Sequence, residues 1–329
     1  LQTKIWIENN ELIRFKQIFS CKNEKDILAE FFFLIANLYS TEGNLEKSNF
    51  FLSLSEHLNK KFKFNLSLMA DNYFQNKNFY QVKKILNKFD ESDGIFYWYK
   101  LKKTTAIISK EQNDQQAITY IKDKYSKLKI KNNKINFDMA NIYKNYKKYN
   151  EAAKLYTTIM ENLSPASIAY GDLLYRRGGS YERLGNFKKS DEDLLFALKL
   201  IPNNSYILNY LAYSWLERNI NISQAVKMLE VAHNKDKNNP YIADSIGWAY
   251  YLTGRYQEAE ELLREAITQM PNDPIVNDHY GDILWSLNKK IQAKYYWNSV
   301  LKFKDTDEEM KKKIKKKLLF GPKNLNANI

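Results

Sequence analysis

The sequence predicts an all-α fold: an α-α superhelix of about eight stacked helix pairs, closed by a C-terminal capping helix. Three observations carry this. A small residue followed three places on by an aromatic or bulky apolar one recurs at a period of mostly 34 or 35 positions: Ala36 and Tyr39, Ala70 and Tyr73, Ala140 and Tyr143, Gly178 and Tyr181, Ala212 and Trp215, Gly247 and Tyr250, Gly281 and Leu284. A second small residue often falls twelve places after the first (Ser48, Ala117, Ala152, Ser190, Ala259, Ala293), with an apolar residue four further on (Leu52, Ile121, Tyr156, Leu194, Leu263, Trp297). Turn signals separate the two, as in Glu42-Gly43-Asn44, Leu184-Gly185-Asn186 and Thr253-Gly254-Arg255. Small residues on both helices let two backbones approach closely, while large ones fill the gaps to the next pair.

In chain order, residues 5–21 look like the second helix of a repeat, with Arg14, Ile18 and Cys21 in register, so residues 1–28 are assigned to a partial repeat. Eight units follow at about 29–62, 63–97, 98–132, 133–170, 171–204, 205–239, 240–273 and 274–307. Thr105 and Ile108 match the pattern poorly, unit 133–170 carries several extra residues, and unit 205–239 has one extra in its turn, Asn219-Ile220-Asn221. Pro240 and Pro274 open two units and Pro202 and Pro271 close two, where no backbone donor is needed. Residues 308–329 read as a basic capping helix and tail. There Met310, Ile314 and Leu318 form a narrow apolar stripe over the last unit while the lysines face water; Gly321-Pro322 stops the helix. The same run could also touch anionic lipid as a peripheral membrane contact.

This pattern resembles the tetratricopeptide repeat. Residues 240–273 carry it best, through Gly247, Tyr250, Gly254, Tyr256, Ala259, Leu263, Ala266 and Pro271. The other signature positions are Gly178, Tyr181 and Gly281. The resemblance implies antiparallel helix pairs in a right-handed superhelix whose concave face holds peptides. Tyr241–Tyr251 and Asp273–Trp285 are also similar to bacterial tetratricopeptide proteins of the cell envelope, which implies a periplasmic, membrane-associated setting in envelope assembly; a cytoplasmic setting is the alternative.

Composition agrees. Hydrophobic residues make up 44% of the 329 and aromatic ones 15%, enough for a core, and ten glycines and six prolines are too few for a loop-rich β architecture. The lone Cys21 excludes an internal disulfide framework and a cysteine zinc site. No apolar run is long enough to span a bilayer. The chain starts at Leu1, and a signal peptide, lipid anchor or further domain upstream is one expectation. Net charge is +13, unevenly spread. Residues 100–148 hold thirteen lysines against four acids, whereas residues 240–285 hold eight acids against Arg255 and Arg264.

Catalytic constellations are missing, so no enzyme and no cofactor is expected. His57, His233 and His279 are far apart in sequence. Asp278, His279 and Asp282 form the one ligand-like cluster, but on a helix His279 points about 100° away from Asp278, so no metal is expected there. The reading is a non-enzymatic scaffold that binds a protein or peptide. In repeats of this resemblance the first helix of each pair lines the groove. That places Asn209, Asp244 and Asp278 in one row, Tyr213, Trp248 and Asp282 in the next, and Leu216, Tyr251 and Trp285 in a third. A peptide would lie across Trp248 and Trp285 while its amides or a lysine meet Asp244 and Asp278. Changing those four residues is expected to weaken binding and leave stability almost untouched. The rival for Trp248 and Trp285 is packing between units. Asn141 and Lys144 suggest a clamp for acidic peptide ends, but Ala106 and Gly179 leave it incomplete, so chaperone binding is not predicted. The alternatives are a nucleic-acid or anionic-surface binder using residues 100–148, and a regulatory fragment of a larger enzyme.

Overall fold

Each occurrence of the small-residue pattern becomes a helix pair. The computed structural model describes residues 22–129 and 131–322, among which there are seventeen α-helices and no strand. The pairs are α1 (Glu24–Thr41) with α2 (Leu45–Leu58), α3 (Phe64–Gln75) with α4 (Phe79–Leu86), and, after a 3-10 turn at Glu91–Asp93, α5 (Ile95–Glu111) with α6 (Asp114–Lys127). Then come α7 (Asn133–Asn145) with α8 (Tyr149–Met160), α9 (Ile168–Arg183) with α10 (Phe187–Leu200), and α11 (Ser205–Glu217) with α12 (Ile222–Lys235). The last are α13 (Pro240–Leu252) with α14 (Tyr256–Gln269), α15 (Pro274–Ser286) with α16 (Lys290–Val300), and a single helix α17 (Glu308–Phe320). The chain divides into two compact units, Leu1–Ile135 and Asn136–Ile329. The helix proposed within residues 5–21 and the tail after Pro322 lie outside the described residues; α1 starts at Glu24, inside the stretch assigned to the partial repeat, because the Asn23 side chain accepts from the Asp26 amide and caps it there.

The small residues do the work expected of them. A Cβ on Gly247 would lie 2.8 Å from Leu263 Cγ, and one on Gly178 would lie 3.0 Å from Leu194 Cγ. A Cβ on Gly281 would collide with the Trp297 indole. The facing large residues, Leu52, Tyr156, Leu194, Leu263 and Trp297, are all fully buried, as is Ala259. The turn between the helices is equally regular. Seven residues past the small one, the backbone turns left-handed: at Gly43, Gly185 and Gly254 with φ between 72° and 79°, and at Lys77, Lys147, Asn219 and Asn288 with φ between 55° and 62°. The extra residue of unit 205–239 is absorbed by a second left-handed asparagine, Asn221 at φ 48°. The third pair departs, as its sequence does. Gln112 stands in that place with φ −125°, and Thr105 fits the buried position by donating its hydroxyl to the Leu101 carbonyl at 2.8 Å.

Asparagines and one aspartate set the helix starts. Asn44, Asn78, Asn113 and Asn186 cap second helices, while Asn204, Asn239 and Asp273 cap first ones, the last two ahead of Pro240 and Pro274. The first unit is packed with phenylalanine around Leu52, Met69, Val82, Leu86 and Phe89. In it the buried Asn72 donates to Ser48 Oγ and Asn49 Oδ1 and accepts from the Ser40 hydroxyl. In the second unit the burial concentrates on two first helices: α13 buries ten of its thirteen residues and α15 nine of thirteen.

Candidate partner-binding site

The three predicted rows lie on α11, α13 and α15, but the structure covers most of them. Asp244, Trp248, Tyr251, Asp278 and Asp282 are buried, and so is Leu216; Asn209, Tyr213 and Trp285 are half-buried. Asn209 Oδ1 is enclosed without a hydrogen-bond partner among the described residues. His279 Nδ1 reaches back from α15 to Asp244 Oδ1 at 2.9 Å. Its ring stacks on Trp248 with centroids 4.2 Å apart and planes within 12°, and Trp248 stacks in turn on Tyr251 at 4.9 Å. Tyr213 tilts against the same imidazole at 6.3 Å. Trp285 packs on Trp297 at 5.4 Å and lies under Lys290 Nζ.

The cover over Asp278 and Asp282 is the chain's own basic helix. Asp307 caps α17 by accepting from the Met310 amide, and Ile314 is the apolar residue that α17 buries completely. Lys317 does not face water as the capping-helix reading expected. Its ammonium donates to Asp278 Oδ1 and to both carboxylate oxygens of Asp282, the latter at 2.7 Å, which uses its full donor capacity. The side-chain exposures are 8% for Lys317, 2% for Asp278 and 4% for Asp282. Lys313, on the rim, places Nζ 3.0 Å from Asp278 Oδ2. The end of α17 is pinned to the third row: Gly321 has φ 77°, and a Cβ there would sit 2.7 Å from the Trp285 ring.

Register explains why a lysine arrives there. His279 stands two residues before Gly281 and contacts Asp244, three residues before Gly247. Lys317 contacts Asp278, which stands three residues before Gly281. The lysine of α17 thus meets α15 much as the histidine of α15 meets α13, so α17 occupies the place of one more first helix.

The charges are unequal in their compensation. Burial pushes the Asp278 carboxyl upward, but Lys317 and Lys313 override it and hold the group below its usual range. Asp282 is ion-paired to Lys317, with the His279 charge nearby also favouring its ionised form; burial still dominates, the neighbouring Asp278 charge adds to it, and the group is pushed up to about 6. One ammonium shared by two carboxylates compensates only the one that has a second lysine. Burial works against a charged His279, yet Asp244 beside it, with Asp278 and Glu217 nearby, raises its pKa above the ordinary value. Burial also raises the Tyr213 and Tyr251 hydroxyls, with Glu217 and Asp282 respectively adding to the rise.

This packing revises the expectation that substitutions here leave stability untouched. Truncating Trp248, buried between two aromatic rings, is expected to cost about 3–5 kcal/mol, read by denaturant unfolding. Asp278 and Asp282 turn to Lys317 and His279 to Asp244, and among the described residues no three His, Cys, Asp or Glu side chains gather as a metal-binding set. His279, Lys313 and Lys317 are the site residues that sequence reasoning missed.

Other singled-out residues fall into structural roles. Gly254 makes the turn, Tyr250 lies under the Arg255 guanidinium at 3.6 Å and donates to Glu230, and the Pro271 carbonyl accepts from Asn277. Tyr181 lies under Arg177 and Lys189. Asn141 accepts the Tyr156 hydroxyl at 2.8 Å, inside its own helix pair. Of the lysines in residues 100–148, Lys103 pairs with Asp71, Lys127 pairs with Asp123 and Lys100 donates to the Phe89 carbonyl. No helix among the described residues is long and apolar enough to cross a membrane.

Residues 171–204 and 240–273 each match a family model described as tetratricopeptide repeat. A curated relative, the TPR repeat-containing protein PA4667 of Pseudomonas aeruginosa, is 32% identical over 111 residues. That match spans 34% of this chain and 19% of the relative. Among solved structures, TTC0263, a thermophilic TPR protein of Thermus thermophilus, is 17% identical with a TM-score of 0.48, over 57% of this chain and all of that one. Pseudomonas aeruginosa pilF is 16% identical with a TM-score of 0.46, over 54% of this chain and 79% of that one.

Proposed function

Because the chain is a tetratricopeptide-repeat protein, and such repeats generally form non-catalytic protein–protein interaction scaffolds, we propose that it binds a peptide or partner protein on the first-helix face of its C-terminal units. The observation that carries this reading is a lysine ammonium seated between Asp278 and Asp282, beside the aromatic residues Trp248, Tyr251 and Trp285. The face is built to receive a cationic side chain with apolar neighbours, which is the chemistry of groove recognition.

The setting in this proposal is bacterial envelope assembly, on the resemblance of residues 241–251 and 273–285; fractionation of the native protein tests it. Affinity capture from native lysate tests the binding face. A partner retained by the parent and lost by the Asp278→Asn, Asp282→Asn protein, with helicity matched by circular dichroism, supports the reading. Equal capture by both clears this face. Capture that falls steeply with salt and survives those changes would instead favour nucleic acid or another anionic surface on residues 100–148.

A further inference from the structure

We propose that α17 is an exchangeable internal ligand, and that the partner of this face is a basic helix carrying two lysines four residues apart with an apolar residue beside the first, as Lys313, Ile314 and Lys317 are arranged. This rests on the binding face proposed above and names what that face recognises.

Four observations support it. The hold on α17 is mainly ionic: of its thirteen residues two are buried, Ile314 and Lys317, against nine of thirteen in α15. Its last apolar residues, Leu319 and Phe320, are 75% and 81% exposed, so little apolar area ties the helix down. The surface beneath is already formed, because the stack of Trp248, Tyr251 and His279 and the His279–Asp244 contact involve no residue of α17. Finally, α17 begins as an element of its own, separate from α16. Thr306 is anchored by its hydroxyl to the Val300 carbonyl at 2.7 Å, and Asp307 caps the helix immediately after that anchor.

The chemistry of the occupant follows from the seat. Asp278 and Asp282 take three hydrogen bonds from one ammonium, and Asp278 takes a second lysine at its outer oxygen. Any helix presenting that spacing reproduces the contacts, whereas an acidic or neutral helix would leave two buried carboxylates uncompensated. The tethered helix competes from a high effective concentration, so a partner gains access when α17 is loosened.

The test uses the full chain and a fluorescein-labelled peptide of residues 307–322, read by anisotropy. The Lys313→Ser, Lys317→Ser chain should bind this peptide about 100-fold more tightly than the parent, since the tethered competitor is weakened. Adding Asp278→Asn and Asp282→Asn should abolish that gain. Equal binding by parent and lysine variant, or none by either at matched helicity, overturns the proposal. A concentration-dependent dimer that excludes the peptide overturns it too, because a second copy would then be the occupant. Should the lysine variant misfold, hydrogen exchange on the parent decides: unlabelled peptide should speed exchange in residues 308–320 and leave residues 274–286 protected, and no change in residues 308–320 overturns it. A partner still captured through Asp278 and Asp282, with no peptide uptake, ends the lysine-helix proposal and leaves the scaffold reading standing.

Discussion

Lys103 in the first unit and Lys317 in the second stand at matching places in their helices and meet very different surroundings. Each reaches back from a first helix to the one before it. Lys103 meets Asp71 at 2.6 Å, and Lys317 meets Asp282 at 2.7 Å; Asp71 and Asp282 each follow their small residue, Ala70 and Gly281, by one position. Around Asp71 the Tyr99 hydroxyl adds a hydrogen bond and the Phe74 ring lies under the ammonium, but the pair stays partly wet, with side-chain exposures of 20% and 39%. Lys317 is shut in. The lesson is that one register position supplies a modest surface tie or a buried ionic lock, and solvent access decides which.

The comparison is sharpened first by truncating the two lysines. Lys317→Ala leaves two buried carboxylates without their main partner and should cost about 3–5 kcal/mol of C-terminal stability. Lys103→Ala should cost about 1 kcal/mol or less. Equal losses in denaturant unfolding would break the contrast.

A smaller effect is expected at Gly321. Alanine there must hold a left-handed backbone and push against the Trp285 ring, so about 1–2 kcal/mol should be lost, with Trp emission shifting as α17 lifts at its end. Unchanged emission and stability would show that the pin is not needed.

The pH response should differ in sign across the same cluster. His279 has a raised pKa, so its contribution is full below the ordinary imidazole range and is lost as pH rises through the folded value. Asp282, pushed up to about 6, prefers its protonated form in the fold, so stability also falls as pH rises through about 6. Asp278 is depressed, so its contribution is present above the ordinary carboxylate range and is lost as pH falls through the folded value. With Glu217, Asp244, Lys313, Lys317, Tyr213 and Tyr251 facing these groups, the C-terminal helices should be firmest in mild acid. They should loosen as pH rises from the ordinary carboxylate range to about 6, and Asp282→Asn should flatten that part of the slope in thermal unfolding.

The smallest effect is that of salt. Screening near 1 M, where the Debye length is about 3 Å, should remove most of the Lys103–Asp71 coupling and little of that between Lys317 and its aspartates.

The architecture was readable because packing leaves a periodic trace. Gly178, Gly247 and Gly281 are small where a second helix presses on them, and Gly43, Gly185 and Gly254 lie where the backbone turns left-handed. Even the misfit at Thr105 marks the pair whose turn has Gln112, at φ −125°, in place of the left-handed residue. The predicted rows fall on the first helices α11, α13 and α15, and the sequence gives no sign of the cover that α17 lays over them. A lysine-rich run with a four-residue apolar stripe reads as a solvated cap, and only its alignment as one more first helix would have aimed Lys317 inward. His279 was set aside because geometry within its own helix turned it from Asp278, while its partner, Asp244, lies on the preceding first helix.

The most direct measurement is a pair of double-mutant cycles, Lys317 with Asp282 and Lys103 with Asp71, by chemical unfolding of the full chain. A coupling above about 2 kcal/mol for the first and below about 1 kcal/mol for the second is the predicted result. Couplings of similar size, or a first cycle near zero, would contradict a lysine locked in the acidic seat.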